Sequence, residues 1–343
     1  PRHFIFSEKK LIKSKNVNMR EKLLSSFEAK DDFDIIIKKI LKDCFPLSII
    51  ENFHILKNKN KTLPKLKKIG SAVDLYDNDQ FKIYVAEHIN LGGSVVVYKH
   101  GGISEKEIIN PLEMINSMYA KKIYEWQDRK GLGDNFLSNF KPVKIENIKR
   151  NNQILFFCSN SNIYERYAPV IKFCNHSRLN IFYEFYEKLS LNYKKKCLIR
   201  LFPRKESLQI KKIWQEKFSN NLKFDSGSKS IAIKNSKIVI LDDFSTPIYE
   251  LVKMDMPFIL VTKDSFNNFE PKFIGQIKNL KKIGLIHDSV IGGAKFINKN
   301  YKNIDIWWLK ILKNKNYQNF KNNLFSSSPN YLDNIKKELL NDI

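Results

Sequence analysis

The segment after the apolar stretch KIVIL at 237–241 holds residues well suited to bind a phosphate. Ser245 and Thr246 stand where a predicted strand passes into a predicted helix, and Glu250 follows one turn later. The first N–H groups of a helix attract anions, and a hydroxyl there adds another donor. Glu250 could then reach ribose hydroxyls. The same pattern is typical of an ordinary capping box with Pro247 in its first turn, so both interpretations stay open.

Two arginines, Arg200 and Arg204, lie at the end of the apolar stretch KCLIRL at 196–201. Arginine supplies only 8 of the 60 basic residues, which makes a pair at one strand end notable. A guanidinium fork binds phosphate or carboxylate through charge-assisted hydrogen bonds. A solvated loop cation explains the pair equally well.

Earlier in the chain, His100, Gly101 and Gly102 follow the strand-like stretch SVVVYK at 94–99. Two glycines let the backbone turn sharply or approach a ligand closely, and a histidine there can act as acid, base or donor. Asp74 follows a short strand predicted at 66–71, and a carboxylate there can serve as base or nucleophile. A structural histidine and a capping aspartate are the alternatives.

The elements that position these residues alternate between strands and helices, which indicates an α/β fold with parallel sheets. Two such series are separated by a Gly- and Pro-containing break near 127–152, so we expect two Rossmann-like domains facing a cleft. Ligands of such sheets bind beyond the carboxyl ends of the strands. The predicted domains are residues 1–140, 150–325 and a helical tail at 326–343. Because the chain begins with Pro1, we expect the first domain to be incomplete. The apolar periodicity predicts helices at 33–43, 47–57, 79–91, 206–218, 246–254, 270–281, 290–300 and 303–324.

Composition excludes several classes of protein. The net charge is +24, but lysine supplies most of the cations and is spread along the chain, so we expect no nucleic-acid partner. Neither an 18-residue apolar run nor a signal peptide is visible, which favours a cytoplasmic protein. The cysteines have no metal-ligand spacing, so we expect no bound metal. Three of them lie in apolar runs and are predicted to be buried thiols: Cys44, Cys158 and Cys197.

Four stretches together resemble a family of bacterial surface-carbohydrate (O-antigen-related) biosynthesis transferases. They are LPKLKKIGSAVDLYDNDQFKIYVAEHINLGGSVVVYKHGG, the short strand at 123–126, IVILDDFSTPIYELVKMDMPFIL, and NLKKIGLIHDSVIGGAKFINKNYKNIDIWW. The order and spacing of these stretches carry the resemblance, which covers about residues 46–325.

The resemblance implies a glycosyltransferase of the GT-B type, with two Rossmann-like domains and a cleft between them. The layout is also similar to that of transferases using CMP-activated Kdo or sialic acid, whose CMP-binding elements match Phe202-Pro203 and Ser245-Thr246. A nucleotide-sugar is then the donor, held by Arg200, Arg204, Ser245, Thr246 and Glu250. A glycan or glycolipid is the acceptor.

In this scheme His100 and Asp74 are the catalytic candidates, and Gly101 and Gly102 shape the acceptor loop. Neither a metal nor another cofactor is expected. Lysine-rich helices in the N-terminal part could hold the enzyme at the anionic inner membrane leaflet. The alternative to the enzyme is a non-catalytic protein that binds nucleotide-sugars or polyanions.

Overall fold

A computed structural model describes residues 11–72, 75, 78–98, 111–124, 151–158, 175–201, 207–218, 222–262, 266 and 269–324. The backbone, but not the side chains, is described at 111–114, 175–180 and 207–209. The chain divides into two compact units. Among the described residues, the N-terminal unit contains 11–98 and 111–124, and the C-terminal unit contains 151–324.

The N-terminal unit has a parallel sheet with the strand order β1-β2-β3. Its apolar cluster joins Ile69, Val95 and Val97 of the sheet to Phe81 and Tyr84 of the helix between β1 and β2. The described elements are α1 (Val17–Ser25), α2 (Asp32–Cys44), α3 (Phe53–Asn60), β1 (Lys68–Ser71), α4 (Asp79–Asn90), β2 (Ser94–Tyr98), α5 (Pro111–Tyr119) and β3 (Lys122–Tyr124).

Helix α4 has the boundaries that its sequence predicts. The Asn78 side chain accepts a hydrogen bond from the Phe81 N–H at 3.0 Å, which caps the first turn. Gly92 ends the helix with φ +82°, a conformation that favours glycine. The His88 ring lies 3.0 Å from the Ser94 carbonyl and ties the end of α4 to the start of β2. His88 is therefore a structural residue that links these two elements.

The C-terminal unit has a six-stranded parallel sheet with the order β6-β5-β4-β7-β8-β9. Strands β4, β5 and β6 follow one another towards one edge of the sheet, and β7, β8 and β9 follow one another towards the other edge. The direction in which strands are added therefore reverses between the neighbouring strands β4 and β7. This is the order of a doubly wound dinucleotide-binding sheet. The strands are β4 (Ile154–Phe157), β5 (Cys197–Arg200), β6 (Lys223–Phe224), β7 (Ile238–Leu241), β8 (Phe258–Val261) and β9 (Ile286–His287).

Helices cover both faces of this sheet because its central strands are apolar throughout. The helices are α6 (Asn175–Lys188), α7 (Leu191–Lys194), α8 (Ser207–Lys217), α9 (Lys229–Lys234), α10 (Thr246–Lys253), α11 (Pro271–Lys282), α12 (Val290–Asn300), α13 (Ile304–Lys313) and α14 (Lys315–Leu324). On one face Leu155 and Val239 pack with residues of α9 to α11, α13 and α14, and on the other Phe156 and Ile240 pack with residues of α6, α8 and α12. The predicted α/β fold with parallel sheets is confirmed.

Some expectations from the sequence are wrong. The single helix predicted at 303–324 is two helices, because Asn314 adopts an extended conformation with ψ 128° between α13 and α14. The helix predicted at 47–57 begins only at Phe53. Cys44 is exposed, whereas Cys158 and Cys197 are buried thiols as predicted. Among the described residues, no helix is long and apolar enough to cross a membrane.

Candidate functional site

The carboxyl ends of β4 and β7 form the part of the C-terminal sheet where a ligand is expected, because the strand order reverses there. Cys158 follows β4, and Asp242 follows β7. Both are buried. Burial raises the pKa of the Cys158 thiol well above its usual value, and the negative charge of Asp242 raises it further. Cys158 is therefore a neutral thiol near pH 7 rather than a nucleophilic thiolate.

Ser245 and Thr246 lie at the start of α10, directly after the loop that leaves β7. Ser245 is the N-cap residue, yet its hydroxyl makes no capping hydrogen bond to α10. The capping-box interpretation is therefore wrong for this side chain. Pro247 has no N–H, and the N–H of Ile248 bonds to the Ser245 carbonyl at 3.0 Å. Both hydroxyl-bearing residues are partly exposed at this end of the helix.

Glu250 lies four residues after Thr246, on the same side of α10. Its side chain is only 8% exposed, and Oε1 accepts a hydrogen bond from Lys229 Nζ at 2.6 Å. The sequence singled out Glu250 as a ribose ligand and gave no signal for Lys229. The structure shows that one carboxylate oxygen is held by a lysine that precedes it by 21 residues.

Arg200, at the end of β5, is an ion-paired residue rather than a solvated cation. Its Nη1 donates to Asp225 Oδ2 and, at 2.9 Å, to the Gly227 carbonyl. Both charged side chains are 15% exposed. Asp225 and Gly227 belong to the segment between β6 and α9, so Arg200 fixes the path of the chain that leads to Lys229. Arg204 lies outside the described residues.

The acceptor-side candidates Asp74, His100, Gly101 and Gly102 also lie outside the described residues. The structure describes the strands that precede them. Ser71 ends β1 with a buried hydroxyl that has no hydrogen-bond partner among the described residues. Tyr98 and Tyr124 end β2 and β3 and stack with their ring centroids 5.2 Å apart.

His287, at the end of β9, is a titratable residue that the sequence did not mark as a candidate. Its Nε2 atom is buried and has no hydrogen-bond partner in the part of the chain that the structure describes, and the ring lies 5.3 Å from that of Phe296. Burial lowers the pKa of His287, so the neutral ring is favoured. Among the described residues, no group of three or more His, Cys, Asp or Glu side chains could hold a metal ion.

Comparison with known proteins identifies the family. The model of the LIC12162 family of transferases matches residues 2–339, which is almost the whole chain. The chain belongs to this transferase family. The search of curated proteins gives no match.

Several solved structures are similar to the chain at low identity. Acinetobacter baumannii MurG shares 12% identity with a TM-score of 0.43, covering 87% of this chain and 79% of that one. Anabaena HepE, solved with UDP and glucose, shares 10% identity with a TM-score of 0.45, covering 88% and 83%. The wall teichoic acid polymerase TagF shares 11% identity with a TM-score of 0.40, covering 72% and 69%. The transferase assignment depends on the family match.

Proposed function

We propose that this transferase is a glycosyltransferase that moves a sugar from a nucleotide-activated donor onto a bacterial surface polysaccharide or O-antigen. The observation that carries the proposal is the position of Ser245 and Thr246. They begin α10 beside the reversal of strand order, and the Ser245 hydroxyl is not used to cap the helix. A helix start with a spare hydroxyl at this point of a doubly wound sheet suits a nucleotide phosphate.

The proposed donor is a nucleotide-sugar, with a CMP-linked acidic sugar as the first choice. Ser245 and Thr246 bind its phosphate, and Arg200 and Arg204 offset negative charge on the departing nucleotide. Glu250 holds the ribose in the simplest assignment. No metal is required in this scheme.

On the acceptor side, His100 and Asp74 are the proposed catalytic residues, with Gly101 and Gly102 in the acceptor loop. One of the two side chains takes the proton from the attacking hydroxyl of the glycan or glycolipid, which makes the oxygen a better nucleophile.

A nucleotide panel tests the donor site directly. We expect one of CMP, CDP, UDP, GDP and AMP to raise the melting temperature of the protein. A ligand at about 100 times its Kd adds about 2.7 kcal/mol to the free energy of unfolding. The double variant Ser245→Ala, Thr246→Ala should abolish this shift. Ser190→Ala is the matched control, because Ser190 also precedes a helix without capping it but lies before β5, at the opposite edge of the sheet.

Each outcome of the panel bears on the proposal. A preference for CMP supports an acidic-sugar donor, whereas a preference for UDP or GDP changes the sugar class but keeps the transferase. Binding without turnover of the matching nucleotide-sugar would favour the non-catalytic alternative. Turnover that EDTA abolishes would contradict the metal-free mechanism. A wild-type protein that responds to no nucleotide would contradict the proposed function.

We also propose that the enzyme works in the cytoplasm, in peripheral contact with the anionic inner membrane leaflet through α2. This helix has no buried residue, and it exposes 68% of Phe33, 54% of Ile36 and 49% of Ile40. Lys39 is exposed on the same helix. Apolar side chains beside a lysine suit a helix that lies at a membrane interface.

Vesicle sedimentation tests this contact. We expect binding to vesicles of phosphatidylcholine with phosphatidylglycerol, and its loss in the triple variant Phe33→Ser, Ile36→Ser, Ile40→Ser. The variant should keep its nucleotide-induced melting shift, because α2 belongs to the other unit. Equal sedimentation of wild type and variant would contradict the assignment of α2.

A further inference from the structure

The Lys229–Glu250 ion pair presents its cation, not its anion, to solvent. Lys229 Nζ lies 2.6 Å from Glu250 Oε1, and the side chains are 32% and 8% exposed respectively. The carboxylate is therefore buried beneath a more accessible ammonium. An ammonium has three N–H donors, and Glu250 is the acceptor for one of them. Among the described residues, the structure shows no acceptor for the others.

The position of α9 places this ammonium at the carboxyl edge of the sheet. Lys229 is the first residue of α9, and Ala232 and Ile233, one turn later, pack into the cluster that contains Leu155 of β4 and Val239 of β7. Because α9 follows β6 and returns to the start of β7, its first residue lies at the end of the sheet where the strands finish. Lys229 therefore lies at the same edge as the reversal of strand order.

Glu250 fixes the ammonium close to the predicted phosphate site. Thr246 and Glu250 are four residues apart on one side of α10, a rise of about 6 Å at 1.5 Å per residue. Side chains on a helix lean towards its N-terminus, so the Glu250 carboxylate, and the Lys229 ammonium bonded to it, lie on the side of Glu250 that faces the start of α10. An ammonium in this position is available to a phosphate bound at the helix end.

Arg200 fixes the segment that carries Lys229. It holds Asp225 by an ion pair and the Gly227 carbonyl by a 2.9 Å hydrogen bond, two residues before the lysine. These contacts tie the segment before Lys229 to the end of β5, and Glu250 then holds the Lys229 side chain itself.

We infer that Lys229 is a donor-binding residue that contacts the phosphate of the nucleotide, and that Glu250 and Arg200 are positioning residues that hold it there. This inference rests on the proposed function and revises two assignments within it. Glu250 then acts through Lys229 rather than by binding ribose, and Arg200 acts by holding the segment before Lys229 rather than by contacting the nucleotide. A lysine held between a buried carboxylate and a phosphate gains a second anionic partner when the donor binds.

Binding measurements on nucleotides and their nucleosides separate these roles. We expect Lys229→Met to weaken CMP and UDP about tenfold or more, since a hydrogen bond to a charged group contributes about 1.5–3 kcal/mol and 1.4 kcal/mol is tenfold. Cytidine and uridine, which lack the phosphate, should bind this variant as they bind the wild type. Lys229→Arg should recover part of the loss. Lys212→Met, at an exposed position of α8, is the control and should change neither.

Glu250→Gln separates positioning from ribose binding. If Glu250 positions Lys229, the variant weakens CMP and UDP and leaves the nucleosides unchanged. Its effect and that of Lys229→Met should then be non-additive in the double variant. If Glu250 binds ribose, nucleosides and nucleotides weaken together.

Two results would overturn the inference while leaving the proposed function intact. One is that Lys229→Met binds CMP and UDP as tightly as the wild type does. The other is that this variant loses nucleoside and nucleotide binding equally. A wild-type protein that binds no nucleotide would instead overturn the proposed function, and this inference with it.

Discussion

Arg20 and Glu51 are charged side chains that lie almost wholly inside the N-terminal unit. The Arg20 guanidinium donates through Nε and Nη2 to both oxygens of Glu51, at 2.7 and 2.8 Å. Its Nη1 donates to the carbonyls of Lys42 and Phe45. One side chain thus connects α1, the end of α2 and the turn before α3. Such a bidentate pair is stabilising only while both partners keep their charge.

This pair makes a prediction about acid stability. The hydrogen bonds from Arg20 lower the pKa of Glu51 to about 2. An unfolded glutamate has a pKa of about 4.3, so the contribution of Glu51 is complete above that value and is lost as the pH falls towards 2. We expect the urea midpoint, followed by helical circular dichroism, to fall between pH 5 and pH 2 more steeply in wild type than in Glu51→Gln. Parallel curves would contradict the role assigned to this pair.

At the same scale, the candidate residues show what spacing along the chain can and cannot predict. Ser245 and Thr246 were found because a strand, a turn and a helix start are local patterns. The partners of Arg200 and Glu250 were not, because Asp225 and Lys229 lie 25 and 21 residues away and meet them only through the order of strands in the sheet. The sequence can predict that a charged residue lies at a strand end. It cannot predict whether another part of the chain already forms an ion pair with that residue.

At the scale of elements, segments with clear apolar periodicity were predicted well, whereas the two-residue strands were missed. Helices α4, α10 and α12 have clear apolar periodicity, and their predicted bounds agree with the structure to within one residue. Strands β6 and β9 have two residues each, too few for any periodicity to show, and they form only because a neighbouring strand supplies hydrogen bonds. The position of β6 matters most, since it leads into Lys229.

Helix α12 packs closely on the sheet because Gly293 has no side chain. A Cβ added there would lie 2.7 Å from Val261 Cγ2 and 3.0 Å from Phe185 Cε2. We expect Gly293→Ala to destabilise the protein by about 1–3 kcal/mol, as overpacking of a core does.

Gly275, within α11, is the control, because an added Cβ there meets nothing within 4 Å. Gly275→Ala should stabilise by about 0.5–1 kcal/mol, and urea unfolding of the two variants checks both signs. Equal effects would contradict the close packing of α12.

At the scale of the whole molecule, the chain consists of two α/β units, each with a parallel sheet. The C-terminal unit carries the described candidate site, in which Arg200, Ser245, Thr246 and Glu250 lie on elements that leave one edge of the sheet. The acceptor-side candidates belong to the segments after β1 and β2. Membership of the transferase family, through a match over residues 2–339, is the reason to treat the site as catalytic.

Hydrogen exchange with the most stabilising nucleotide of the panel tests whether the donor site lies at the reversal of strand order. We expect protection of the backbone amides in 225–229 and 242–250, the two segments that carry Lys229 and the start of α10. Peptides from the opposite edge of the sheet, such as 189–196, should exchange as in the free protein. Protection confined to that edge or to the N-terminal unit would contradict a donor site at the reversal of strand order.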